Sequence, residues 1–274
     1  MSDPFQAHGI KHLSASSLNL FKNSPARWVL SYLFRVKDGP SPAMLRGKSA
    51  ESAIEWALQN DITDVDEVAE YAAQDFEAHR PSRRSTDEAL ESKYAAERAI
   101  CQKCAVSGYE FIQGQDFGPL ISSQDKLEFR IDGIGVPIIG FTDFTFENGI
   151  TVDLKCVGKA QSRPKMDHAV QIAGYGIASN YQQALLYAYP RTKSNTDDFS
   201  AKLFKISAET VEQQLGFAAH TAHAIRNVLA YSDDPYKIAS LFAPDLDSFY
   251  FSDRQVRAAA ETIFSREYKT KTER

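Results

Sequence analysis

Midway along this chain the spacing of apolar residues switches from a helical period to strict alternation, and that switch constrains the fold more than any other feature. In the first part apolar side chains recur every three to four residues, as at Ala50, Ala53, Ile54, Ala57 and Leu58. From Lys126 to Ile131 (Lys-Leu-Glu-Phe-Arg-Ile) they alternate, as a strand with one wet face requires. Residues 133–135 predict a turn, 136–146 a second strand, Glu147-Asn-Gly149 a tight hairpin, and 150–157 a third strand. Helical spacing returns over 164–180. Residues 183–189 and 199–206 again suit strands, separated by a polar loop over 190–198.

The flanking segments read as helices: 14–34, broken near Ser24-Pro25, then 43–59, 64–79 and 86–113 ahead of the strands. Residues 208–231, 235–241 and 253–268 follow them, and the tail 269–274 should fray. The expected fold class is α/β, a central mixed β-sheet with an antiparallel hairpin, flanked by helices. We expect a single domain over 1–274, with a helical part at about 13–115, a core at about 119–206 and C-terminal helices after it.

Composition narrows the setting. The chain has 274 residues, 43% of them hydrophobic, which is enough for a sizeable core. It contains no run of about 18 apolar residues, and its opening segment has no apolar stretch of the signal-peptide kind; a soluble, cytoplasmic protein with no membrane partner is expected. Three cysteines are too few for a disulfide framework. Cys101-x-x-Cys104 lacks a second pair, so a four-ligand zinc site is not expected, and His220 and His223 lack a third ligand. No Gly-rich phosphate loop is present, so no ATP-driven motor is expected.

The net charge of −5 argues against a uniformly basic surface. Basic residues nevertheless cluster at 11–48, at Arg80, Arg83 and Arg84, and at 155–165, which leaves room for a local phosphate-binding groove. Solvated surface charge is the plain alternative for each cluster.

The chemistry concentrates between Gly140 and Cys156. Asp143 and Asp153 lie on consecutive strands joined by the hairpin. Alternation puts Asp153 and Lys155 on one face, opposite Val152 and Leu154, and Asp143 joins them if the register permits. Two carboxylates side by side repel unless a cation lies between them, and a hard divalent metal favours such oxygen donors. The bland reading makes Asp153 and Lys155 exposed cross-strand partners and puts Asp143 in a turn.

The set Asp143 with Asp153-Leu154-Lys155 resembles the PD-(D/E)XK nuclease superfamily, in its RecB-like exonuclease branch. Further segments stand in the order of that branch. Residues 13–21 followed by Ser24-Pro-Ala-Arg-Trp28 look like its N-terminal helix and Pro-aromatic signature. The segment 46–55 is similar to its Gly-led helix, with Glu51 standing where the family usually has histidine. Gln171-Ile-Ala-Gly-Tyr175 matches its Gln-x-x-x-Tyr helix, whose spacing puts both side chains, with His168, on one helical face.

The resemblance implies a restriction-endonuclease-like core that hydrolyses DNA phosphodiester bonds, ends preferred, in repair, recombination or phage DNA processing. It implies one or two Mg²⁺ or Mn²⁺ ions on Asp143, Asp153, Glu51 and the Leu154 backbone carbonyl. Lys155 would orient or deprotonate the attacking water, or stabilise the phosphorane. Gln171 and Tyr175 would contact nucleic acid or support the lysine. It also implies an iron–sulfur cluster in some relatives, which three cysteines do not supply. Candidate phosphate contacts are Arg27, Arg35, Arg46, Lys48, Lys159, Arg163 and Lys165; Trp28, Tyr32 and Phe34 are candidates to stack bases, with core packing the alternative for Trp28 and Phe34. The Glu51 departure keeps an alternative open, a catalytically inactive nucleic-acid-binding or assembly protein on the same scaffold.

Overall fold

A computed structural model describes residues 3–39, 41–81, 87–179, 181–192 and 198–265. Arg83 and Arg84 of the basic cluster, part of the 190–198 loop and the tail 269–274 lie outside these residues. The order of elements is α1 (Pro4–Ala7), α2 (Ala15–Asn23), α3 (Pro25–Tyr32), α4 (Pro42–Gln59), α5 (Val65–His79) and α6 (Glu88–Gln113), then β1 (Leu120–Ser123) and β2 (Lys126–Phe129). Next come β3 (Ile138–Phe141), β4 (Phe144–Phe146), β5 (Ile150–Cys156), α7 (Met166–Ala178), β6 (Gln182–Pro190) and β7 (Phe199–Lys205). The chain closes with α8 (Ala208–Leu229), α9 (Pro235–Ala239) and α10 (Arg254–Phe264).

Local chemistry explains the boundaries. Ser41 caps α4 by accepting from the Met44 amide, with Pro42 pre-set in the first turn. Asp64 and Asp87 cap α5 and α6, and both helices carry acids in the first turn, where the helix dipole favours them. The hairpin closes at Gly149, whose φ of 80° suits glycine, while Asn148 Oδ1 accepts from the Ile150 amide.

The chain groups into two compact units, one of residues 40–127 and 141–211, the other of 1–39, 128–140 and 212–274. The first contains a five-stranded sheet in the order β1-β4-β5-β6-β7. The β1/β4, β4/β5 and β6/β7 pairs are antiparallel, while β5/β6 is parallel, with α7 as the crossover. The sheet is therefore mixed, as expected. One of its faces, carrying Val152, Leu154, Ala184, Leu186 and Ala188, packs with Ile54, Phe76, Cys104 and Tyr109 of the helices α4, α5 and α6. Gly108 lets α6 lie flush there: a Cβ would fall 2.8 Å from Ile54 and 3.3 Å from Leu154. On the opposite face Leu185 and Tyr187 pack with Ile172 of α7 and Ile206.

In the other unit Trp28 is fully buried and stacks on Tyr32 at 4.9 Å, so the core reading holds for it, and Phe34 packs edge-on against Tyr236. A bridge joins Leu13 to Ile138.

Two sequence expectations change. The strand expected over 136–146 is two, β3 in a two-stranded sheet with β2 and β4 in the main sheet. The break falls at Thr142 and Asp143, because the Thr142 amide donates to the Asp125 carbonyl and the Asp143 side chain, instead of a strand carbonyl, accepts from Leu154. Strand β1 was not anticipated: four residues ending in two serines, paired through a bulge, carry little alternation.

Candidate active site

Strand β5 builds the site by alternation. Val152 and Leu154 enter the helix-covered core, which turns Asp153 and Lys155 to the α7 face beside their parallel partners Leu185 and Tyr187. Asp153 is fully buried. Its Oδ2 lies 2.5 Å from Lys155 Nζ, an ion pair within the strand, and among the described residues Oδ1 has no hydrogen-bond partner. Asp143, 6% exposed, is tied to the same strand: Oδ2 accepts from the Leu154 amide at 2.8 Å. The two aspartates thus meet through the break in the second strand, and through a backbone amide that the sequence pattern did not reveal.

Glu51 reaches this group from α4. Its helical neighbour Ile54 is fully buried, and the charges of Asp153 and Lys155 act on the Glu51 carboxyl. Gln124 donates to Glu51, and Ser123 donates to Glu55 one turn further along α4. Gln124 has a φ of 54°, unusual for a residue with a side chain, and it stands in the β1–β2 turn whose Asp125 carbonyl holds Thr142. That turn is therefore bonded both to Glu51 and to the residue preceding Asp143. Sequence reading missed it, since Ser-Gln-Asp in a short turn carries no signal of its own.

On α7, Gln171 Nε2 donates to Tyr175 Oη at 2.8 Å, the expected one-turn pairing, and Tyr175 is buried. His168, a turn earlier, bonds Tyr187 Oη through Nδ1 at 3.0 Å.

The electrostatics are those of crowded acids. Burial, and then the charge of Asp153, push the Glu51 carboxyl up to about 7. Burial and the charges of Asp153 and Glu51 hold Asp143 well above the usual carboxylate range. Burial raises Asp153 too, opposed by Lys155. For Lys155 burial works against the charge, but Asp153 and Asp143 outweigh it and the ammonium is held more firmly than in water. Burial and then Asp153 raise Tyr175, which keeps its proton.

Could these residues hold a divalent ion? Among the described residues no three His, Cys, Asp or Glu side chains form a ready cage around one point. The donor chemistry nevertheless fits: oxygen-only groups, mutually repelling, with a buried Asp153 carboxylate oxygen unpartnered among the described residues and the Lys155 ammonium set amid Asp143, Asp153 and Glu51. Of Leu154, the structure records its amide on Asp143 and its side chain in the core.

Other expected contacts fall differently. Arg46 is turned inward, bonding Glu97 and, at 3.1 Å, the Cys156 carbonyl. Arg27 is buried and pairs with Asp38 at 2.8 Å, and Arg35 donates to the carbonyls of His8 and Gly9. Arg46 and Arg27 are spent on the fold, while Arg35 is exposed. Lys48, Lys159, Arg163 and Lys165 are exposed. Cys101 and Cys104 are buried on α6, their thiols pushed up, Cys101 chiefly by burial and Cys104 by its bond with Cys156 and by burial.

A family model described as the PD-(D/E)XK nuclease superfamily matches residues 12–269. No curated protein matches the sequence. Among solved structures, one named "Putative exonuclease", from Eubacterium rectale, is 12% identical, with 83% of this chain and 84% of that chain covered and a TM-score of 0.50, a likeness of fold. Another, SSO0001, is also 12% identical, covering 70% of this chain and 81% of its own, with a TM-score of 0.31.

Proposed function

This chain belongs to the PD-(D/E)XK nuclease superfamily, and from that premise we propose that it is a Mg²⁺- or Mn²⁺-dependent deoxyribonuclease, exonucleolytic and RecB-like. Its reaction is hydrolysis: water attacks a backbone phosphorus, the bond to one bridging oxygen breaks, and that oxygen leaves with a proton. The observation that carries the reading is the Asp153–Lys155 pair, 2.5 Å apart on one strand, with Asp143 tied to the same strand.

Asp143, Asp153, Glu51 and the Leu154 carbonyl would hold the ion. When bound, it supplies Lewis acidity at the phosphoryl oxygen and a more acidic water. Asp153 and Asp143 keep Lys155 as an ammonium, which supports a role in stabilising the phosphorane charge rather than one as base. Gln171 and Tyr175, bonded to one another, support the lysine side of the site. Lys48, Lys159, Arg163 and Lys165, exposed, would track DNA phosphates and make binding salt-dependent. A cytoplasmic role in repair, recombination or phage DNA processing accompanies this reading.

The test is to incubate the purified protein with end-labelled linear and circular DNA in Mg²⁺, Mn²⁺ or chelator. Metal-dependent loss of linear DNA, abolished in Asp153→Ala, is expected. Binding without cleavage in every metal would point instead to an inactive nucleic-acid-binding scaffold, the alternative that Glu51 leaves open.

A further inference from the structure

His168 lies beside the site, yet nothing in the proposed chemistry uses it. Tyr187 Oη accepts the Lys165 amide at 3.0 Å and lies 3.0 Å from His168 Nδ1. A phenol has one proton to give, and among the described residues His168 Nδ1 is its only acceptor. With Tyr187 as donor to a bare Nδ1, the ring proton sits on Nε2, and this is the tautomer the proposal below takes. The rings stack at 5.6 Å and 30°, which holds the plane of the imidazole.

The groups around it are Lys155 on β5, Lys165 ahead of α7, Asp167 on α7 and Tyr187 on β6. Two cations against one acid, in a half-buried position, keep the ring neutral; burial first and then Lys155 lower it to about 4. Nε2 has no partner among the described residues. His168 is one turn before Gln171 on the helix that covers Lys155's face of the sheet.

We propose that His168 is a substrate-contacting residue whose Nε2–H, fixed by Tyr187, donates to a DNA phosphate next to the scissile one. This rests on the nuclease reading and deepens it. A neutral, oriented donor adds direction to phosphate binding beside Lys155 without adding a second charge to compete for the carboxylates.

Two measurements test it. Long-range ¹H–¹⁵N spectra of histidine-labelled protein, assigned with His168→Gln, should show a Nε2–H ring that does not titrate between about pH 5.5 and 8, and Tyr187→Phe should mix the tautomers. DNA binding with Ca²⁺ in place of the catalytic metal should weaken about tenfold in His168→Ala, the loss of one hydrogen bond to a charged group. The ratio to wild type should stay flat across that pH range, His168→Gln should recover part of it, and the Mn²⁺ concentration that half-shifts the melting temperature should not move. Equal affinities in His168→Ala and wild type, a ratio growing toward acid pH, or a shifted Mn²⁺ midpoint would each overturn the assignment. If wild type cleaves DNA and His168→Ala binds as well as it does, only His168 loses its role; if wild type neither binds nor cleaves, the nuclease reading falls with it.

Discussion

Replacing Glu51 by Gln should stabilise the metal-free protein at pH 8 and leave it unchanged in acid. The carboxyl is pushed from 4.5 up to about 7 by burial and then by Asp153, so its ionisation in the fold works against folding. Between those two values the native state binds more protons than the unfolded chain, and stability therefore falls as pH rises through that window. The shift is worth about 3 kcal/mol once pH exceeds 7 and nothing below 4.5. Glutamine cannot ionise, yet it keeps an oxygen for Gln124 to donate to. Thermal melts in chelator from pH 4.5 to 8 should therefore show the variant's curve separating above that of wild type, by roughly 6–12 °C at the alkaline end. Added Mn²⁺ should narrow or reverse the gap at pH 8, because wild type has the extra ligand charge to neutralise. Parallel curves, or a variant that melts lower at pH 8 in chelator, would refute the claim that Glu51 belongs to a self-repelling acid cluster.

Lys155→Met should lower kcat by roughly 100- to 1000-fold, the scale of removing one donor aimed at developing charge, with little change in DNA affinity measured in Ca²⁺. Arg46→Ala leaves Glu97 and the Cys156 carbonyl without their cation and should cost about 3 kcal/mol in urea unfolding; a loss of DNA affinity without loss of stability would return Arg46 to the phosphate contacts. Lys159→Ala and Arg163→Ala should each reduce the slope of log Kd against log salt by about 1, with folding untouched. Gln124→Ala should raise the Mn²⁺ midpoint in thermal shift, since Glu51 then loses the donor that holds it.

The local period of the chain was enough to place Asp153 and Lys155 on one face of β5 and Val152 and Leu154 on the other, because side chains alternate along any strand. It was also enough to pair Gln171 with Tyr175, because residues four apart share a helical face. The family motifs lay in the same stretches, which is why the resemblance could be drawn from residues alone. Nothing in that periodicity says which segment crosses which. That Glu51 comes to Asp153, that the β1–β2 turn bonds Glu51 through Gln124, and that Tyr187 bonds His168 all depend on long-range packing. The same holds for Arg46, which reads as a free cation in the sequence and is an internal strut in the fold. Asp143 shows the division most sharply. Its acidity was legible, but its place was decided when the strand broke beneath it and its carboxylate took the Leu154 amide that a continuous strand would have bonded through its backbone.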